Sequence, residues 1–436
     1  MHYVNTKENN YSEKYELVKI GKFLKRNKTP IEVQDNQLYK RVTIRINGGG
    51  ISVRDEVFGK EIGTKNQFEV TEKQFLLSKI DARNGAFGVV PMVCDKAIIT
   101  GNFWTFDVDY SIVNPNYLTL FTATKHFQHI SQTASTGTTN RNYLQENLFL
   151  EMPIPLPSLD IQNQLVTTYQ NKLNQAQEAA NKALELEKGI ETYLLEVLRI
   201  EMETEKTLPK NSQFKFLQMV DFKEISRWDC DFLQNQSIGI FAVLKKAKYK
   251  AKKLGEVYQF VNQSWAKQKH KEKTFNYIEI GSIDVLLGVT SFTEIEVANA
   301  PSRATQIVKE NDLILGLTRP YLKKFALISE KHNGYVCSSG FQVISPSENY
   351  SLEFLLEFLK SDAGVKQFEF YMTGALYPAI TTKQLQDLEI PLPPLSIQTE
   401  IVAHISSQKM EVKRLKAAAE NLRKEAKEGF EREIFN

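Results

Sequence analysis

The chain has 436 residues, 42% hydrophobic and 25% charged, with a net charge of +3. That is room for two or three domains, each with a real core, in the composition of an ordinary globular protein; the charge neither demands nor excludes a nucleic-acid partner. Three distant cysteines, Cys94, Cys230 and Cys337, argue against a disulfide framework or a zinc ribbon and fit a reducing cytoplasm. The polar start MHYVNTKENN and the lack of any run of about 18 apolar residues argue against secretion and membrane insertion.

Residues 1–14 read as a polar arm, and the first domain, 1–153 with that arm, begins its fold near Tyr15. In RVTIRINGGGISV, Val42, Ile44 and Ile46 alternate with Thr43, Arg45 and Asn47, the period of a half-buried strand, and Gly48–Gly50 turn the chain. Strand-rich segments follow at 75–91 and 97–109, then a helical stretch at 116–132 and a Ser/Thr/Gly loop at 135–140. A long helix is expected over 158–205, broken by Pro209 and Asn211, with a connector at 206–250 that contains Trp228. A second domain, 251–390, repeats the first. AKKLGEVY matches LVKIGKFL, LILGL at 313–317 matches LLSKI at 76–80, GFQVI at 340–344 matches NFWTF at 102–106, and 351–368 supplies the matching helix. A second long helix is expected over 395–436.

Each half closes on the same junction. Residues 154–166 read IPLPSLDIQNQLV and residues 390–402 read IPLPPLSIQTEIV, with eight of thirteen positions identical at an offset of 236. An internal duplication explains this better than chance. The alternating prolines make each arrival a stiff, extended strut, so a helix can start only after the last of them. Asp160 and Ser396, equivalent and both of N-cap type, are the expected caps. Behind the second junction, Ile405, Gln408, Val412, Leu415, Ala419, Leu422 and Ala426 form a coiled-coil seam. Behind the first, Leu173, Ala176, Ala180, Ala183, Glu187, Ile190, Leu194 and Val197 keep the same rhythm, with Glu187 as one polar lapse. The simplest arrangement buries the two seams against each other, antiparallel; the alternative packs each helix on its own domain.

The duplicated Ile-Pro-Leu-Pro-x-Leu-x-Ile-Gln segment, the helix behind it and the domain-length spacing resemble the specificity (S) subunit of Type I restriction–modification systems, the HsdS family. The resemblance covers essentially the whole chain. It implies an α+β, mixed fold: two similar α/β target-recognition domains separated by two long antiparallel coiled-coil helices. It also implies double-stranded DNA as partner, read as a bipartite target with one half-site per domain. Two methyltransferase (M) subunits would dock on the helices and bring the S-adenosylmethionine chemistry, and restriction (R) subunits would join them. The chain itself would hold no cofactor, metal or catalytic residue. A Type IIB-like specificity subunit and a coiled-coil scaffold that binds proteins are the alternatives.

The residues agree that this is not an enzyme. Asn114-Pro115-Asn116-Tyr117 lacks the second proline of an adenine-methyltransferase motif and reads as a turn before a helix, and no Gly-rich cofactor loop lies upstream. There is no Pro-Asp dipeptide for a metal nuclease; Glu425-Ala426-Lys427 sits in the coiled-coil helix. No phosphate loop occurs, and His126 and His129 lack companion ligands.

What remains is polar readout chemistry: Lys and Arg for phosphates, and Arg, Asn or similar groups for base edges. Lys79, Arg83 and Asn84 lie in one inter-strand turn, and Arg319, Lys323 and Lys324 in the turn expected to match it, with Arg83 and Arg319 at the shared offset of 236. One such turn alone reads as a solvated turn; two at matching places make DNA contact an equal reading. The loops 138–142, with Arg141, and 373–377, with Tyr377, are second candidates against a helix-docking role. Arg41, Arg45 and Arg54, and Lys267, Lys269, His270 and Lys271, are basic enough to touch phosphate, although a solvated charge run is the commoner outcome.

Overall fold

A computed structural model describes residues 14–46, 49–133, 135, 136, 143–202, 239–269, 271–374 and 376–435. Trp228, Cys230 and most of the connector lie outside the described residues. The chain divides into two compact units, Met1–Ala180 with Ala417–Asn436, and Asn181–Lys416. Both are mixed α/β.

The duplication is visible in strand order. In the first unit, Phe103–Val108 is flanked by Leu24–Asn27 and Phe75–Ser78, and Phe87–Val89 closes an antiparallel sheet. In the second, Phe341–Ser345, Gln259–Val261, Leu313–Gly316 and Phe325–Leu327 repeat that order. The strands Phe75–Ser78 and Leu313–Gly316 are buried along their whole length, which is why both read as unbroken apolar runs. Pairing aligns Phe75 with Leu313, one residue from the match read in sequence, because Phe75 faces Phe106 and Leu313 faces Ile344. A second sheet accompanies each: five strands in the first unit and four in the second.

The proline junctions are short edge strands, a place that tolerates proline. Pro153–Pro155 pairs with Leu17–Lys19, and Glu389–Pro391 with Ala251–Lys253. The recurring Lys-x-Gly behind those strands has a steric cause. A Cβ on Gly21 would meet the Leu150 carbonyl oxygen at 3.1 Å, and one on Gly255 the Gln386 Cβ at 2.8 Å.

The helical stretches before each junction are split in two. Pro115–Thr122 and Lys125–Thr133 replace the single expected helix, as do Leu352–Lys360 and Asp362–Tyr371. Ser361 causes the second break: it is extended, and its hydroxyl accepts the Gly364 N–H.

The long helices run Leu159–Leu198 and Leu395–Phe435. The first stops short of residue 205: Arg199 takes a left-handed conformation (φ 51°), which ends the helix before Pro209 is reached. Asp160 and Ser396 are not the caps. Both sit one residue inside the first turn, behind Leu159 and Leu395, where Asp160 favours the helix dipole. Of the expected seam, Ala176, Ala183, Leu194, Ile405, Val412, Leu415, Ala419 and Ala426 are buried. Glu187, the polar lapse, accepts from Lys416 Nζ at 2.7 Å. The helices are antiparallel within each unit: Lys172 pairs with Glu425 and Tyr169 packs on Phe430 in one, and Tyr193 stacks on His404 in the other. Each unit is therefore closed by the far end of the other repeat's helix. Phe430 and Ile434 join the core of Tyr117, Phe121 and Phe149. Leu194 and Leu198 join that of Phe354, Phe358 and Leu385.

Candidate nucleic-acid interface

The four-stranded sheet around Phe103–Val108 in the first unit, and that around Phe341–Ser345 in the second, each present one inter-strand turn beside the chain that returns to the junction. In the second unit that turn is a single 3₁₀ turn, Pro320–Leu322, between two non-glycine left-handed residues, Arg319 (φ 50°) and Lys323 (φ 55°). Proline fixes the first position of the turn. The backbone N–H of Arg319 donates to the Pro378 carbonyl at 2.7 Å, tying the turn to the loop 373–377. The guanidinium lies 5.0 Å from the Tyr377 ring centroid, and Nη2 donates to the Leu376 carbonyl at 3.1 Å. Tyr377 is 71% exposed and Leu376 80%. Two loops proposed separately from sequence thus form one exposed basic and aromatic edge. Strained backbone of this kind is held by its surroundings and gathers at ligand-contacting sites.

Lys323 is half-buried in this turn. Lys324 is not free to reach out: its Nζ donates to the Ile283 carbonyl at 2.6 Å. Beyond it, burial and the neighbouring Lys409 push the Lys360 ammonium down to about 8, although it donates to the Val285 carbonyl at 2.7 Å. Lys269 ends the exposed 3₁₀ turn Lys267–Lys269, and Lys271 is exposed beyond it; His270 lies outside the described residues.

In the first unit the turn is Ala82–Asn84, closed by Gly85 (φ 79°). Arg83 is its middle residue, and its side chain lies outside what the structure describes. Arg83 and Arg319 are not equivalent. Ser78 and Gly316 make the same backbone bond to Ala86 and Lys324, so Asp81 matches Arg319 and Arg83 matches Tyr321. Asn84 turns its amide back to Asp81 at 3.4 Å. Lys79 is half-buried against Trp104, its Nζ 5.9 Å from the ring, and burial, then Arg26 and Lys28, lower its proton affinity. Arg141 and the rest of 138–142 lie outside the described residues.

Arg45 is exposed at the end of the strand Leu38–Ile44, as is Arg54 on Ile51–Phe58. Arg41 is committed: it grips Asp55 with two bonds of 2.6 and 2.7 Å, which hold that carboxyl below its usual range. The Asn-Pro-Asn-Tyr stretch is a helix start, in which the Asn114 side chain accepts the N–H groups of Asn116 and Tyr117. Among the described residues, no three His, Cys, Asp or Glu side chains come together in a way that could hold a metal ion, and no helix is long and apolar enough to cross a membrane.

Sequence reasoning missed the role of two buried glutamines. Gln162 Oε1 accepts the Asn114 N–H at 2.7 Å, and its amide donates to the Pro157 and Ile112 carbonyls at 2.8 and 3.1 Å. Gln398 repeats this with Ser351 and Pro393 at 2.9 and 2.8 Å. Their identity in both junctions was the available signal.

The family model described as the Type I restriction modification DNA specificity domain matches residues 10–188 and again 246–416. The Type I restriction enzyme HindI specificity subunit of Haemophilus influenzae is 27% identical over 133 residues, 29% of this chain; the match spans 28% of that protein's length. Two solved structures share the fold. A chain from work on complex assembly and conformational transition of the type I R-M system has a TM-score of 0.60 at 17% identity. The HsdS subunit from Thermoanaerobacter tengcongensis has 0.51 at 16%. Each covers 96% of this chain and 96% of its own.

Proposed function

The chain belongs to the Type I restriction modification DNA specificity family, and from that premise we propose that it is the DNA-reading subunit of a Type I restriction–modification complex. The observation that carries this is the double match: the same family model fits each repeat, and each repeat has its own four-stranded antiparallel sheet of the same strand order and its own inter-strand turn. The target is bipartite, with one half-site under residues 1–153 and the other under 251–390. Arg319 and Tyr377, with Lys323, read or hold the second half-site. Lys79, Arg83, Asn84 and Arg141 serve the first, and Arg45 and Lys269 touch phosphate; Lys324 supports its turn. Two methyltransferase subunits dock through the long helices and bring S-adenosylmethionine, restriction subunits complete the assembly, and this chain catalyses nothing itself. A chain that reads the bacterial genome works in the cytoplasm. The scaffold and Type IIB-like readings have no observation in their favour.

Methylome sequencing of cells with and without this chain tests the proposal. A split adenine-methylated motif should vanish with the chain. Exchange of the 251–390 block for that of a relative should rewrite one half of the motif only. An unchanged methylome on deletion, or both halves rewritten together, would overturn it.

A further inference from the structure

The duplication supplies an internal control. Where the two copies differ at one structural position, one copy shows what the fold requires and the other what has been added. One such difference is in charge, at four positions around the start of the helix that precedes the junction. That helix is Glu146–Leu150 in the first unit and Thr382–Gln386 in the second. Backbone bonds fix the match: Leu144 donates to the Lys79 carbonyl as Ile380 does to Leu317, and Lys79 donates to Asn102 as Leu317 does to Gly340. Strand pairing places Trp104 with Gln342 and Arg26 with Phe260.

At those four positions the second unit has neutral groups, with a charge, Lys383, only at the place of Asn147. Phe260 and Leu317 pack on the core. Gln342 accepts from the Thr382 hydroxyl at 2.8 Å and donates to the Val261 carbonyl at 3.1 Å. The fold therefore needs no charge at those four positions. The first unit has Arg26, Lys79, Trp104 and Glu146 instead; Lys79, Trp104 and Glu146 line an open recess of about 380 Å³, and Arg26 lies behind Trp104. The Arg26 guanidinium lies 5.8 Å from the Trp104 centroid, and its Nη1 donates to the Thr105 carbonyl at 2.7 Å. Its Nε is buried and forms a long ion pair with Glu146 Oε2 at 3.5 Å, with no well-formed hydrogen bond among the described residues. Lys79 Nζ reaches the same ring at 5.9 Å and makes no hydrogen bond that the structure describes.

Arg26 and Lys79 thus flank one carboxylate, and burial, then the charges of Arg26 and Lys28, work against keeping Lys79 protonated. An arrangement that the sister copy does without, and that is short of negative charge, is built for an anion. We propose that this recess is a phosphate subsite of the first domain, holding a phosphodiester of the bound DNA against Lys79 with Trp104 as its apolar wall. Arg26 is a positioning residue, fixed by Thr105 and Glu146, that adds its charge from behind the ring. Aromatic walls beside cations suit a nucleotide, since the ring takes sugar or base while the ammonium takes the phosphate. The second domain has no such subsite, so the two half-sites are gripped unequally.

The inference rests on the DNA-reading function, and the test separates the two. Binding of the full chain, assembled with its partner subunits, to a duplex carrying its target is measured against salt. Lys79→Gln should lower the slope of log K against log salt by about one. Glu146→Gln removes the competing carboxylate and should tighten binding several-fold at low salt. The joint exchange Arg26→Phe, Lys79→Leu, Trp104→Gln and Glu146→Thr installs the second unit's residues; it should keep the melting temperature near the parent's and still lose the slope. The same slopes with the joint exchange as with the parent would overturn the subsite. So would a change confined to competition by free inorganic phosphate, which would make the recess a site for free anions. No binding of target DNA by the parent assembly would instead overturn the function itself.

Discussion

Gln162 is fully buried, and its Oε1 accepts the backbone N–H of Asn114 at 2.7 Å, locking the first turn of the long helix to the start of the helix Pro115–Thr122. Its amide closes the same clasp on Pro157 and Ile112. A partly buried backbone N–H and two carbonyls, one of them in a buried bond, depend on one side chain.

Gln162→Ala should therefore cost the first unit about 2–4 kcal/mol, since each group left unpaired keeps its desolvation penalty. Gln398→Ala should do the same to the second unit, through Ser351 and Pro393. Denaturant unfolding followed by hydrogen exchange should show each variant loosening its own unit. A loss below about 0.5 kcal/mol would mean that water replaces the clasp.

Arg319 is held over Tyr377 before any ligand arrives. If it reads a base edge, Arg319→Ala should cost about 1–3 kcal/mol and relax one position of one half-site. If it only meets phosphate, binding should weaken evenly and the salt slope should fall by about one. Tyr377→Ala should weaken the same half-site by freeing the guanidinium. Arg319→Ala with unchanged affinity, slope and methylome would return this edge to solvent.

Lys360 gives a pH signature. Its folded proton affinity is down to about 8 from the usual 10.5. Between those values the unfolded chain holds more protons than the folded one, so stability rises with pH across that window; below about 8 the penalty is constant. Lys360→Met should remove that rise, and the difference between the two stability curves isolates this group from the tyrosines that titrate higher. Parallel curves from pH 7 to 11 would show that the amine is not strained by burial.

The repeat and the helices were legible because their signals are local: a proline-spaced junction, a seven-residue rhythm, an apolar strand. The recess at Lys79 was not. Arg26, Lys79, Trp104 and Glu146 meet only through sheet pairing and the Leu144 bond to Lys79, and no spacing along the chain announces them. The matching of Arg83 with Arg319 failed for a related reason. A constant offset of 236 holds at Gln162 and Gln398, but the strands and turns between have drifted to 238, so Ser78 answers to Gly316 and an arginine in one copy faces a tyrosine position in the other. The glutamines were visible as identities, yet their task was not, because the N–H groups they satisfy belong to helix starts about 48 residues upstream.

The last turns of the chain test whether each unit depends on the other repeat's helix. Phe430 is buried between Tyr117 and Tyr169, with ring centroids 5.8 and 6.4 Å away, and Ile434 is buried one turn on in the same core. Phe430→Ala opens a cavity whose walls are two long helices and Pro115–Thr122, elements that cannot close over it without shifting the junction. The cost should be about 3–5 kcal/mol. Because the second unit's core is built from other residues, hydrogen-exchange protection should fall in Phe75–Ser78 and Phe103–Val108 and hold in Leu313–Gly316 and Phe341–Ser345. Tyr117 links this core to the junction through its hydroxyl bond to the Pro155 carbonyl at 2.8 Å, so the first half-site should lose definition while the second keeps its sequence. Equal loss of protection in both sheets would mean that the two units unfold as one. No loss in either would mean that the end of the second helix only rests on the first domain and does not complete its core.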